Sequence, residues 1–185
     1  YSLTTSMFMS TTTRSGGITV VFVDQLQEAT HLIMSMLMFI GASPSSAGGG
    51  IRTTTFAILI LFMITFARSR AHINVFSKRI SKLDIERAFA VFVLAMGLVF
   101  FGMLSILVID GDKFTVTQII FEVCSAFGTV GISTGITEEL SSVSKIIIIV
   151  FMFIGRIGFV SFLLSISGKK KELTFKYPEE RLMVG

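Results

Sequence analysis

Two short stretches hold the residue types that can replace the water around a cation. They are Ser15-Gly16-Gly17-Ile18 and Thr129-Val130-Gly131-Ile132. They lie in segments 1–19 and 115–135, each a short stretch too brief to span a bilayer that ends in a Ser/Thr/Gly run. A short helix that dips into a membrane and stops midway points its C-terminal dipole end, about half a negative charge, at whatever lies ahead. The chain after it can aim backbone carbonyls inward and stand in for hydration oxygens. Glycine permits backbone geometry that a Cβ would obstruct.

Such residues need a membrane around them, and the composition supplies one. Of 185 residues, 52% are hydrophobic and only 15% charged, and the mean hydropathy is +0.81. That excludes disorder and disfavours a soluble enzyme, because ordinary domains carry about 25% charged residues. The single Cys124 gives no disulfide framework, and no Cys/His cluster suggests a transition-metal site. The net charge of +4 does not indicate nucleic acid. Eleven of sixteen Lys and Arg fall in 68–87 and 169–181, beside apolar segments, as expected of the cytoplasmic side of a membrane.

Residues 88–109 are 22 uncharged residues, preceded by Arg87 and followed by Asp110 and Asp112. They predict a span running from inside to outside. Residues 146–167 predict a second, running inward from Glu138 and Glu139 to Lys169-Lys170-Lys171. A third apolar region, from Leu26 to Ala67, is about twice as long as one straight helix needs. Its middle, 41–55 (GASPSSAGGGIRTTT), holds Pro44 and a Gly48-Gly49-Gly50 run that cannot continue a regular helix. Irregular backbone survives at membrane depth only when buried in protein or lining a wet cavity. A broken span is the expectation. Two complete helices joined by an external loop would need longer pieces than the ten or eleven apolar residues on either side.

The order short helix, glycine turn, inward span occurs twice, with Gly17 and Gly131 in equivalent places. This is an internal repeat. Thr129-Val130-Gly131 also begins as the TVGYG potassium filter does, departing from it at Ile132 and Ser133.

Together with Thr12-Thr13-Arg14-Ser15-Gly16-Gly17, the 41–55 loop, Gly131-Ile132-Ser133-Thr134-Gly135 and Tyr177-Pro178-Glu179-Glu180-Arg181, the chain resembles the potassium-translocating subunits of the Trk/Ktr/HKT superfamily, above all the bacterial Ktr type. The resemblance implies an all-α, multi-pass plasma-membrane protein built from helix–pore helix–helix repeats, four around one pore. Residues 1–67 would end the third repeat, 68–87 would be a cytoplasmic connector, 88–167 the fourth repeat and 168–185 a cytoplasmic tail. The remaining N-terminal repeats would precede Tyr1. Potassium, or sodium, would bind at carbonyls of Ser15, Gly16, Gly17, Ile18, Thr129, Val130, Gly131 and Ile132. By the same resemblance glycine at the repeat position favours potassium over sodium, 41–55 is a gating loop, and no cofactor is covalently bound. The subunits would pair as homodimers, the apolar end Leu182–Gly185 lying at the pairing surface. A cytosolic RCK-type ring carrying the nucleotide would control the gate, docking on 68–87.

The basic residues at membrane depth are read for function, since buried charge is costly there. Arg14 aimed at the axis would repel a cation, so it is expected behind the filter as a scaffold. Glu122 is a second scaffold candidate and a partner for Arg14. Arg52 can tether the glycine loop to a carboxylate or to carbonyls. Arg156 is either a barrier and latch below the filter, touching the 41–55 loop and forming a gate with Gly48, Gly49, Gly50 and Arg52, or one half of a salt bridge to another repeat. His31 reads as a helix-end polar residue and His72 as solvated. Cys124 and the Met34-Met36-Met38 run read as packing. Residues 72–76 alternate enough for a short strand.

Rival functions fit less well. Gly48–Thr53 lacks phosphate-loop spacing and a preceding strand. A sodium-coupled secondary transporter shares broken helices but is expected to invert its repeats, whereas both repeats here run the same way. The pore subunit of a potassium pump remains compatible with the pore-loop pattern. No nucleophile–base pair suggests an enzyme.

Overall fold

The computed structural model describes residues 3–14, 16–44, 46, 48–68, 73–75 and 78–158. Among the described residues six α-helices run in chain order: α1 (Leu3–Thr12), α2 (Glu28–Phe39), α3 (Thr53–Ala67), α4 (Lys82–Asp110), α5 (Val116–Gly128) and α6 (Ser142–Ile157). The described strands are β1 (Asn74–Val75) and β2 (Lys78–Arg79), paired antiparallel with Asn74 opposite Arg79. Within the alternating 72–76 run, Asn74–Val75 is thus a strand.

At 29 residues, α4 is long and apolar enough to cross a membrane. The broken third region is present as α2, an irregular segment and α3. Helix resumes at Thr53, so the break covers 40–52 rather than 41–55. Threonine costs a helix only a fraction of a kcal/mol, and the apolar run behind Thr53–Thr55 needs its backbone paired internally. The expected continuous span over 146–167 is also revised. Helix α6 starts earlier, at Ser142, where the Ser141 side chain accepts from the Ser144 N–H. It ends at Ile157, followed by Gly158 at φ +83° and ψ 125°. Residues 159–167, the tail 168–185 with its Tyr177–Arg181 motif and Leu182–Gly185 end, Ser15 and His72 lie outside the described residues.

Short helix α5 is the centre of packing and touches α2, α4 and α6. Ile119, Phe121, Val123, Ala126 and Phe127 on it are almost completely buried. Its first turn is capped by Gln118, whose Oε1 accepts the Thr115 N–H at 3.0 Å. One side of α5 joins Ala95, Ile106, Ile148 and Phe151 of α4 and α6. The other joins Met9, Met34 and Met38, so the Met run is partly core, with Met36 exposed. Cys124 lies in this second cluster, as packing would require. Small residues allow the close approaches. A Cβ on Gly155 would come 2.1 Å from the Phe127 carbonyl oxygen, and one on Gly128 would come 2.5 Å from that of Met38.

The C-terminal end of α4 is clamped to the N-terminal end of α6 by Asp110. Its Oδ2 accepts the Ser141 N–H at 3.1 Å and the Ser144 hydroxyl at 2.5 Å, and the residue is buried. The carboxylate also sits at the positive N-terminus of α6. Asp110→Ala is expected to cost about 1.5–3 kcal/mol, the value of hydrogen bonds to a buried charge. Asp110→Asn should cost less, because the amide oxygen still accepts. Thermal unfolding of the purified protein measures both, and equal midpoints for the alanine variant and the parent would contradict the clamp.

Candidate functional site: two glycine strands above an irregular loop

The two repeats adopt one local plan. A short helix ends, a strand with a positive-φ glycine follows, then a 3₁₀ turn (Val23–Gln25 or Ile136–Glu138), then the inner helix. Gly17 lies as far before Glu28, the first residue of α2, as Gly131 lies before Ser142, the first of α6. Their φ angles are +67° and +88°, values that disfavour a side chain and select glycine. The strands touch. A Cβ on Gly17 would stand 2.2 Å from the Val130 carbonyl oxygen and 3.9 Å from the Gly131 Cα. A Cβ on Gly131 would meet nothing within 4 Å.

Four of the strands' N–H groups turn back to the short helices. Those of Gly16 and Gly17 donate to the Thr12 carbonyl at 2.8 and 3.3 Å. Those of Thr129 and Val130 donate to Ala126 and Ser125 at 3.1 and 3.0 Å. The carbonyls of Gly17, Val130 and Gly131 receive no donor among the described residues. This polarity suits a cation, which needs oxygens and is repelled by N–H dipoles.

Side chains fix the strands from behind. Thr12 Oγ1 donates to the Ile18 carbonyl at 2.9 Å and accepts the Ile18 N–H at 3.1 Å. Ser125 Oγ donates to the Ile132 carbonyl at 2.5 Å. The carbonyls of Ile18 and Ile132, expected to face an ion, are therefore held by hydroxyls of α1 and α5. Glu122, 5% exposed, secures the next residues. Its Oε1 accepts from Ser133 Oγ (2.5 Å), Thr134 N (2.9 Å) and Thr134 Oγ1 (3.2 Å), and its Oε2 from Thr137 Oγ1 (2.8 Å). Glu122 thus braces its own repeat instead of pairing with Arg14. The Arg14 side chain is exposed and makes no contact with a carbonyl or carboxylate among the described residues. It stands in the turn after α1, on no packed face. His31, expected to be a helix-end polar group, is buried. Its Nε2 lies 2.7 Å from the Val23 carbonyl and its ring meets Phe121 edge-on, tying α2 to the turn before it and to α5.

Beneath the strands lies the irregular segment. The Gly49 N–H donates to Thr129 Oγ1 at 2.8 Å. A Cβ on Gly49 would meet Thr129 Cγ2 at 2.8 Å, its Oγ1 at 2.9 Å and the Gly155 carbonyl oxygen at 2.8 Å. Gly50 has φ +77° and packs against Gly41. The Gly48 N–H is held by Ser46 Oγ. Arg52 tethers the segment to itself, donating from Nη1 to the Pro44 carbonyl at 3.1 Å. Of its two expected partners, the carbonyl is the one found. Arg156, exposed in the last turn of α6, follows Gly155 directly. The structure therefore brings Gly17, Val130 and Gly131 together, with Thr129 joined to Gly49.

Residues 1–173 match the family described as "Cation transport protein", TrkH. The chain belongs to the TrkH family. It is 48% identical over 180 residues to the Ktr system potassium uptake protein D of Bacillus subtilis, covering 97% of this chain and 40% of that protein. It is 36% identical, with the same coverage, to the Ktr system potassium uptake protein B of that organism. The potassium/sodium uptake protein NtpJ of Enterococcus hirae is 33% identical over 187 residues, 99% of this chain and 42% of that protein. The chain spans about two-fifths of the length of these relatives. Membership of a transporter family agrees with the membrane reading of the sequence.

In this TrkH-family chain the sequence reading missed Thr12 and Ser125 as clamps, and Ser133, Thr134 and Thr137 as ligands of Glu122. The available signal was a hydroxyl residue near the end of each short helix. The two strand glycines should respond differently to alanine. Gly131→Ala carries only the left-handed strain, about 1–2 kcal/mol. Gly17→Ala adds an overlap with the Val130 carbonyl and should lower the thermal midpoint clearly further. Equal losses would refute the contact between the strands.

Proposed function

We propose that this chain forms part of a potassium-uptake pore in the bacterial plasma membrane. Potassium is the cargo, dehydrated by carbonyls of the Gly17 and Gly131 strands. One observation carries the reading. Two glycine strands meet, with the N–H groups of Gly16, Gly17, Thr129 and Val130 tied back and the carbonyls of Gly17, Val130 and Gly131 left open. The relatives named for potassium uptake support it. The segment between α2 and α3, whose Gly49 lies against Thr129 and Gly155, acts as the gate, and Arg52 and Arg156 hold it. Glu122 serves as filter scaffold. Further repeats of the polypeptide complete the ring, a second subunit pairs with it, and a cytosolic nucleotide-binding ring moves the gate. Glycine at both visible positions favours potassium, although one relative bears a potassium/sodium name. The shared direction of the repeats favours a pore over a secondary transporter.

Rubidium and sodium uptake in cells stripped of their own potassium uptake tests this. The intact protein should restore rubidium uptake, and Gly131→Ser should admit sodium in its place. A Cβ at this position meets open space, so lost preference would not reflect a collapsed fold. Unchanged selectivity in the serine variant would remove Gly131 from the filter.

A further inference from the structure

A cavity of about 610 Å³ lies between the C-terminal end of α3 and the N-terminal end of α4. None of its lining residues belongs to the glycine strands or to the segment between α2 and α3. Part of its wall is aromatic. Phe62 and Phe66 on α3 stack with ring centroids 6.1 Å apart, and Phe89 faces the same space from α4. Phe66 is 77% exposed and Phe89 57%, so these rings have little protein to lie against. The rest of the wall carries charge, from Arg79, Lys82 and Glu86. Among the described residues neither Arg79 nor Lys82 has an ion pair, and the pair at this end of α4 joins Arg87 to Asp84. Glu86 follows Lys82 by one helical turn, the weaker order for such a pair. Two cations against one carboxylate leave the cavity net positive.

The two kinds of wall are ordered along α4. Lys82 is its first residue, and Phe89 lies seven residues on, about 10 Å deeper at 1.5 Å per residue. The charges thus stand at the basic end of the span, and the rings stand at hydrocarbon depth. A soluble anion would use the cations and leave the rings bare. A soluble protein does not reach rings at that depth. An amphiphile with a phosphate at the boundary and an acyl chain beneath it satisfies both walls, and basic pockets between membrane helices on the cytoplasmic side suit anionic headgroups. We propose that this cavity binds one anionic phospholipid with a hydroxyl-bearing headgroup, of the phosphatidylglycerol kind. Arg79 and Lys82 hold its phosphate, Glu86 accepts from a headgroup hydroxyl, and one acyl chain lies against Phe62, Phe66 and Phe89. The lipid then joins the end of α3 to the start of α4. The inference requires that these helices lie in a membrane and is independent of what crosses it.

Native mass spectrometry of the full-length protein, titrated in detergent with phosphatidylglycerol or with phosphatidylcholine, reads the first bound lipid. The unaltered protein should prefer phosphatidylglycerol. Arg79→Gln combined with Lys82→Gln should weaken that lipid about thirtyfold, roughly fivefold for each cation removed. Arg87→Gln takes an equal charge from the same helix end but from outside the cavity, and should leave binding almost unchanged. Ala90 lines the cavity, so Ala90→Phe keeps every charge, fills the apolar part and should displace the lipid. A diffuse surface attraction would respond to Arg87→Gln as it does to the other charge changes and would ignore Ala90→Phe. Equal binding of the two lipids by the unaltered protein overturns the inference. So does undiminished binding in the double variant or in Ala90→Phe. If the double variant keeps its lipid and instead loses a cytosolic protein partner, the cavity belongs to that partner and the inference falls. Should the double variant not fold, the headgroup preference of the unaltered protein and the Ala90→Phe result decide. Lipid binding is read without transport, so a failure of the pore reading leaves this result standing.

Discussion

Backbone polar groups at membrane depth must be satisfied by protein or by whatever the protein encloses. The rest of this structure follows from that constraint. A helix satisfies itself, but this chain interrupts helices at 13–27, 40–52 and 129–141. At these interruptions several N–H groups are returned to a helix end or given a side-chain oxygen, among them those of Gly16, Gly17, Ile18, Gly49, Thr129, Val130 and Thr134. The carbonyls of Gly17, Val130 and Gly131 receive no donor among the described residues. An oxygen-rich, N–H-poor space is a good environment for a cation and a poor one for an anion.

Holding such strands open requires a rigid back wall. Helix α5 provides it. It is only 13 residues long, yet it is buried along nearly its whole length between α2, α4 and α6. From that position Ser125 and Glu122 reach the strand that follows, and Thr129 reaches the segment between α2 and α3. Glycines at 128 and 155 let neighbouring backbones come close enough to lock α5 in place. The wall, the strand and the irregular segment are therefore one packed unit.

Much of this was legible in the sequence because it follows from coarse rules. Length and charge located α4. The Gly and Pro content of 41–55 located the break. The repeated short helix and glycine turn located both strands. What escaped was the partner of each polar group. Glu122 offered a charge, and charge complementarity suggested Arg14. The carboxylate instead collects four donors from Ser133, Thr134 and Thr137, because neutral hydroxyls and an N–H a few residues away need no second buried ion. Helix ends were misjudged for a related reason. Hydropathy does not see that Ser141 and Asp110 can start α6 early, or that Gly158 ends its regular turns.

The hydroxyls of Thr12 and Ser125 hold the carbonyls of Ile18 and Ile132, immediately past each glycine. In the proposed pore these two oxygens are already engaged by the wall. The ladder of open oxygens then stops at the glycine. A short ladder queues fewer bare ions in single file than a long one, and neighbours in a queue push one another forward. Conduction here would rely less on mutual repulsion between ions and more on how quickly each one sheds and regains its water.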